Sequence, residues 1–411
     1  MGNNDKASKP IFLHTQFRSA GTYLWSDILK HDQCTGYYEP FHESLLVPCE
    51  ATVLESAAES RQDRGHGFLE AGYFNTYLRQ PGGSVTFLEP THCYAESIVA
   101  PESANPGLHA YISNLLAQAP ARPVFKFCRS LFRMGWIVRN FEGVHIGILR
   151  QPRAQWRSYQ SFPDRYFDGI NLMLAGCCGG LPPIKAANDI LHVPFFSLGT
   201  PRKDLDFYSH IARRCPPETM YFIFYYTWLA SVAEMLAYAN LVLDSGMISA
   251  KPDGRSIAIR SLADLGITVG LEDFNLPGNE NLPLSPDILD RIEEDAACLL
   301  AGDSWTKDRL KSIEAGLATS AGTLHPDTVR RMKRLFDAPV ADRPALSFSP
   351  PSMMQIAANC WQDLHRDLIA AGTHIEVVQK ANADLEKRLA DSILIPHKLR
   401  IFLTRLGFFR R

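Results

Sequence analysis

Within the stretch FLHTQFRSAGTYLWSDIL, residues 18–23 gather a guanidinium at Arg18, hydroxyls at Ser19 and Thr22, the small residues Ala20 and Gly21, and Tyr23 as a helical pattern begins. A cation, hydroxyls and close backbone approach are the parts that wrap an anion in N–H donors. The Gly-Lys-Ser/Thr of an ATP-binding loop is missing, so nothing here holds a γ-phosphate and its magnesium. A second set lies in LRQPRAQWRSYQS, where Arg150 is followed by Pro152 and Ser158. A guanidinium fork and a hydroxyl set near each other across a strand-to-helix turn suit a terminal phosphate. Two anion sites on adjacent strand ends imply a ligand with two separated phosphate groups.

Such side chains need a frame in which strands end where helices begin. PIFLHTQ (10–16) is a short apolar run, and GTYLWSDILK after it sets Leu24, Trp25 and Ile28 on one helical face. The free N-terminus of that helix favours an anion. PVFKFC (123–128) is a second strand, followed by SLFRMGWIVRNF with Leu131, Met134, Ile137 and Val138 at helical spacing. VHIGIL then runs into an Arg-Gln-Pro turn and a helix carrying Trp156 and Tyr159, and a long helix over 218–239 precedes the strand NLVLDS. This repetition predicts an α/β fold, a mostly parallel sheet flanked by helices.

The spaces between these elements carry weaker signals. Residues 43–118 read as helix interrupted by glycine and proline, and 163–200, with AGCCGGLPP, as an inserted loop or lid. The sheet domain is expected over 1–300, closing after the helix that starts at Ser285-Pro286. Residues 301–411 form a helical C-terminal extension, with a linker at 339–352 and a polar helix at 353–391. Val378, Leu385 and Leu389 fall near heptad spacing there, too few repeats for a coiled coil.

Composition narrows the function. Apolar residues make up 46% of the chain, enough for a large core, and 42 basic residues against 44 acidic ones give a net charge of −2. That balance predicts no nucleic-acid partner and makes any anion site local. The nine cysteines are odd in number and contain no C-x-x-C pair. Reduced thiols and no metal are the expectation. The N-terminal MGNNDKASKP lacks an apolar core segment, and no apolar run is long enough to span a membrane, so a cytoplasmic location is expected.

FRSAGTYLW and LRQPRAQWRSYQS together resemble the two nucleotide-binding signatures of the sulfotransferases that use 3′-phosphoadenosine 5′-phosphosulfate. Over roughly residues 10–275 the resemblance implies a P-loop-NTPase-like sulfotransferase fold, with that donor as co-substrate and no metal. It implies that Arg18, Ser19, Ala20, Gly21, Thr22 and Tyr23 cradle the 5′-phosphosulfate. Ala20 and Gly21 stand where the family usually has Gly and Thr/Ser. It also implies that Arg150 and Ser158 hold the 3′-phosphate, with Gln151 in place of the usual Asp.

GYYEPFHES (36–44) is similar to a Glu-Pro segment of carbohydrate sulfotransferases, which implies Glu39 as the base, with His42 and Glu43 as neighbours and competitors. Lys126 and Arg129 match a K-x-x-R of the same members. The implied roles are charge neutralisation by Arg18 and Lys126, and substrate binding by Glu43 and Arg129. His92 and His109 lie in no such motif and are expected to be structural.

The resemblance leans towards a hydroxyl acceptor on a glycan or glycolipid, bound with help from residues 163–215. A nucleotide-dependent kinase and a catalytically silent glycan-binding or scaffold protein are the rival readings. Finally, HKLRIFLTRLGFFRR sets Leu399, Phe402, Leu403 and Leu406 on one face of a basic helix. Such a segment, within 393–411, docks on the protein itself or lies on an anionic membrane surface, here the inner face.

Overall fold

The computed structural model describes residues 9–46, 74–78, 87–94, 96–162, 164–177, 182–250, 252–272, 274–276, 282–337 and 346–370. Five strands, β1 (Ile11–Thr15), β2 (Cys34–Tyr38), β3 (Arg122–Phe127), β4 (Val144–Leu149) and β5 (Leu241–Asp244), form one sheet. Their order is β2-β3-β1-β4-β5 and every pairing is parallel. The chain is therefore α/β, as its sequence predicts. Every residue of β1, β4 and β5 is buried, which is what apolar runs covered by helices on both faces produce.

On one face, Ile11, Leu13 and Ile146 pack with Leu24, Trp25 and Ile28 of α1 (Gly21–His31) and with Ala258 and Leu262 of the helix Pro252–Ala263. On the other, Phe12, Phe125 and Phe127 stack together beneath Tyr111 and Leu115 of the helix Pro106–Gln118. The long helix Pro217–Tyr238 covers the same side of β4 and is buried over most of its length.

This topology makes a crevice. From β1 the chain passes through α1 towards β2 at one edge of the sheet; from the adjacent β4 it passes through the long helix towards β5 at the other. Neighbouring strands whose connections diverge open a gap outside their C-terminal ends, where ligands of open α/β sheets bind. Both anion motifs follow these two strands.

Several elements differ from the sequence expectation. β2 has no apolar alternation, yet it pairs along β3 because Gly36 lets α1 approach closely; a Cβ there would lie 2.6 Å from both Leu29 and Trp25. The described part of 163–200 is largely helical, where the sequence predicts a loop or lid. It holds the helices Tyr166–Cys177 and Pro182–Leu191, and Ile170, Leu172 and Met173 of the first are buried in the main core. In 43–118 the described helices are a 3-10 turn at Glu43–Leu46, Asn75–Leu78, Pro90–Cys93 and Pro106–Gln118.

Packing runs on past residue 300. Trp305 and Ile313 of the helix Ser304–Thr319, with Met332 and Leu335 of Pro326–Asp337, share the hydrophobic cluster of the long helix. The helix Met353–Ala370 reaches the helix Pro201–Ala212 through Trp361 and Phe207. Val378, Leu385, Leu389 and the tail 393–411 lie outside the described residues. Among the described residues no helix is long and apolar enough to cross a membrane.

Candidate functional site

The loop after β1 is held in an unusual shape. Arg18 and Ala20 take φ values of 60° and 66°, and Glu39, at the end of β2, takes 44°. Left-handed backbone costs a non-glycine residue on the order of 1–2 kcal/mol, and such strain gathers at functional sites. Ala20 occupies the N-cap of α1 without a side-chain cap, so the first turn presents its N–H groups to the crevice as helix geometry leaves them. Gly21 is required sterically, since a Cβ would lie 2.4 Å from the Thr15 side chain. The Ser19 hydroxyl donates to the Gln16 carbonyl at 2.7 Å and pins the turn. Thr22 shares a hydrogen bond with the Tyr38 hydroxyl at 3.1 Å. Tyr23 turns its ring onto Phe274, and its N–H is spent within the turn, donating to Ala20 O at 3.1 Å.

The second motif meets the first directly. Ser158 does not pair with Arg150; its Oγ accepts from Arg18 Nε at 3.0 Å. The helix Pro152–Gln160 crosses the β1–α1 loop, and Gln155 Nε2 donates to Phe17 O at 2.8 Å. Arg150 is 7% exposed, its Nη1 reaches Arg18 O at 3.4 Å, and its Nε is buried without a hydrogen-bond partner. Burial, then the guanidinium groups of Arg18 and Arg157, push its pKa down to about 10, with Asp244 pulling the other way. A crowded, desolvated cation of this kind is completed by an anion.

Glu39, Lys126 and Arg129 lie together at the ends of β2 and β3, as does Glu43. Lys126 Nζ donates to Glu39 Oε1 at 2.5 Å, while Arg129 contacts Glu39 Oε2 at 3.2 Å and Glu43 Oε2 at 3.1 Å. The Cys128 N–H donates to Glu39 Oε2 at 3.0 Å. Burial alone would raise the Glu39 pKa, but Lys126 and Arg129 overcome it and hold the carboxyl below its ordinary range. Burial likewise opposes Glu43, yet His42 and Arg129 bring it down to about 2. His42 is pushed down to about 4 by burial.

Several contributors escape sequence reasoning. Tyr94 and Tyr166 hydroxyls lie 2.9 and 3.0 Å from Arg129 Nη2, and the Tyr38 ring lies 4.5 Å from Lys126 Nζ. Gln151, which stands at the family's Asp position, donates from Nε2 to Asp244 at 2.9 Å and to Thr328 at 2.7 Å. Of these, only Gln151 carried a sequence signal, as the residue in place of the family's Asp. His92 accepts the Glu89 N–H at the start of the helix Pro90–Cys93, and His109 stacks on Phe141.

The six described cysteines are all free. Among the described residues no group of three or more His, Cys, Asp or Glu is placed to hold a metal ion. Comparisons of the chain with protein-family models, curated proteins and solved structures found no match. Fold and site together define an α/β protein with a cation-rich crevice at the divergence of β1 and β4.

Proposed function

We propose that this chain is a sulfotransferase of the P-loop-like kind, moving a sulfuryl group from 3′-phosphoadenosine 5′-phosphosulfate to a hydroxyl acceptor. The observation that carries the reading is the convergence of Arg18 and Arg150 at the start of α1, with Arg150 Nε buried and unpartnered. The first-turn N–H groups and Arg18 suit the 5′-phosphosulfate, and Arg150 suits the 3′-phosphate. The site fits this donor better than magnesium-ATP, because Lys126 points at Glu39 from β3 and no lysine follows Gly21.

In the transfer, a bond forms between the acceptor oxygen and sulfur as the bond from sulfur to the 5′-phosphate oxygen breaks. Glu39 takes the acceptor proton. A general base works best with a pKa near the operating pH, whereas Glu39 is held low by its two cations. Lys126 therefore moves from Glu39 to the transferring group, which neutralises the developing charge and raises Glu39 in the same step. Glu39→Gln lowers turnover while leaving donor affinity nearly intact.

A second reading, nucleotide binding without transfer, is favoured by the complete engagement of the Glu39 carboxylate. Incubation with donor labelled in its sulfuryl group, against panels of alcohols and sugars, separates the readings. Label appearing in an acceptor supports transfer. Donor binding with no transfer to any acceptor supports the second reading, and magnesium-dependent ATP turnover would point to phosphoryl chemistry.

A further inference from the structure

Behind the β1–α1 loop lies a chamber of about 40 Å³, measured with a water-sized sphere. Its wall comes from the strand ends, from the helices Pro152–Gln160 and Tyr166–Cys177, and from the long helix. Phe17, Tyr159, Ile170, Leu174, Phe224 and Trp228 make most of it apolar. Gln16 and Phe17 precede Arg18 in the chain, and Cys128 and Arg129 belong to the Glu39 cluster, so the chamber wall adjoins both charged regions.

Four polar atoms of lining residues are buried without a partner: Gln16 Oε1, Gln155 Oε1, Asn171 Nδ2 and Arg129 Nε. All four side chains are more than nine-tenths buried. The two glutamine orientations are fixed by their neighbours. Gln16 Nε2 faces the Trp228 carbonyl and Gln155 Nε2 the Phe17 carbonyl, both acceptors only, so the free atoms are carbonyl oxygens. Four such atoms gathered on residues of one chamber call for an occupant. Two carbonyl oxygens, the Arg129 N–H and the Asn171 amide amid aromatic rings match a hydroxyl, which gives one hydrogen and accepts others, attached to an apolar body. A sugar ring, polar around its whole rim, would leave most of its hydroxyls facing carbon.

We infer that this chamber binds the acceptor, and that the acceptor is a compact, mainly apolar alcohol or phenol rather than a glycan. The chamber as a ligand site stands on its own geometry; its role as acceptor site rests on the proposed transfer.

The test is calorimetric titration of the full chain, without donor, using 2-naphthol, methyl β-glucopyranoside and 3′-phosphoadenosine 5′-phosphate separately. Leu174→Trp and Thr227→Phe fill the chamber from two different helices, so one misfolded variant, recognised by circular dichroism, does not end the test. The expected result is binding of 2-naphthol that weakens at least tenfold in a folded filled variant, with nucleotide affinity unchanged. Binding of the glucoside instead, or of 2-naphthol equally well after filling, overturns the inference. If the nucleotide binds and 2-naphthol does not, the chamber assignment falls alone. If 2-naphthol binds and is blocked by filling while the nucleotide does not bind, the chamber stands and the sulfuryl-transfer reading falls.

Discussion

Two charged regions share the C-terminal edge of the sheet and are built in opposite ways. At the ends of β2 and β3, the carboxylates of Glu39 and Glu43 face Lys126 and Arg129 across 2.5–3.2 Å, and charge balances charge. At the ends of β1 and β4, the charges acting most strongly on Arg150 are the like charges of Arg18 and Arg157. The first region balances its charges internally. In the proposed function the second is completed by the donor's phosphate. Cation-rich sequence alone does not separate these cases, since each region presents arginine at a strand end.

The contrast can be broken by mutation. Glu39→Ala leaves two cations buried without their carboxylate and lowers the unfolding free energy by about 3–5 kcal/mol in urea titration. Arg150→Ala removes a repelling cation and changes it by less than about 1 kcal/mol. Equal losses would erase the distinction.

A pH effect sharpens it from beneath the sheet. His14 bonds Ser130, the neighbour of Arg129, at 2.8 Å and His145 at 3.2 Å. Burial lowers both, His145 to about 4 and His14 well below its ordinary value of 6.5. The unfolded chain binds protons that these folded histidines refuse, so their contribution to stability is complete above about pH 6.5 and falls as the pH drops towards 4, while Glu234, which burial raises to about 8, works in the opposite direction. His145 alone contributes on the order of 3 kcal/mol to that fall. Urea midpoints at pH 7 and pH 5 check it, and His145→Gln should flatten the difference.

A modest effect is expected at Thr328, whose hydroxyl bonds Asp244 at 2.8 Å and Gln151 at 2.7 Å. Thr328→Val costs about 1 kcal/mol of stability and weakens nucleotide binding roughly fivefold. An unchanged affinity would detach the C-terminal helices from the second motif.

Much of the fold was legible because strand, loop and helix alternate openly around both motifs. β1, β3, β4 and β5 each show an apolar run, and α1 shows its helical face in Leu24 and Ile28. β2 was not legible: its place depends on Gly36 meeting Trp25 and Leu29 of α1, a tertiary contact without a local pattern. The glycine-rich stretch after residue 163 read as a lid because the helix Tyr166–Cys177 draws its stability from burial rather than from propensity. Within the site, sequence brought forward Arg18 and Ser158 but not their mutual bond, which depends on how the helix Pro152–Gln160 crosses the loop. The chamber is assembled from segments scattered between residues 16 and 231, and no one of them signals it.

The most direct test of the central claim is calorimetric titration of the wild-type chain and Arg150→Ala with 3′-phosphoadenosine 5′-phosphate, using magnesium-ATP as the control. The account predicts that the wild type binds the bisphosphate and prefers it to ATP, and that Arg150→Ala weakens it about 100-fold, as expected for loss of a charge-assisted pair worth about 3 kcal/mol. Tighter binding of magnesium-ATP, or an affinity untouched by the loss of Arg150, would contradict it.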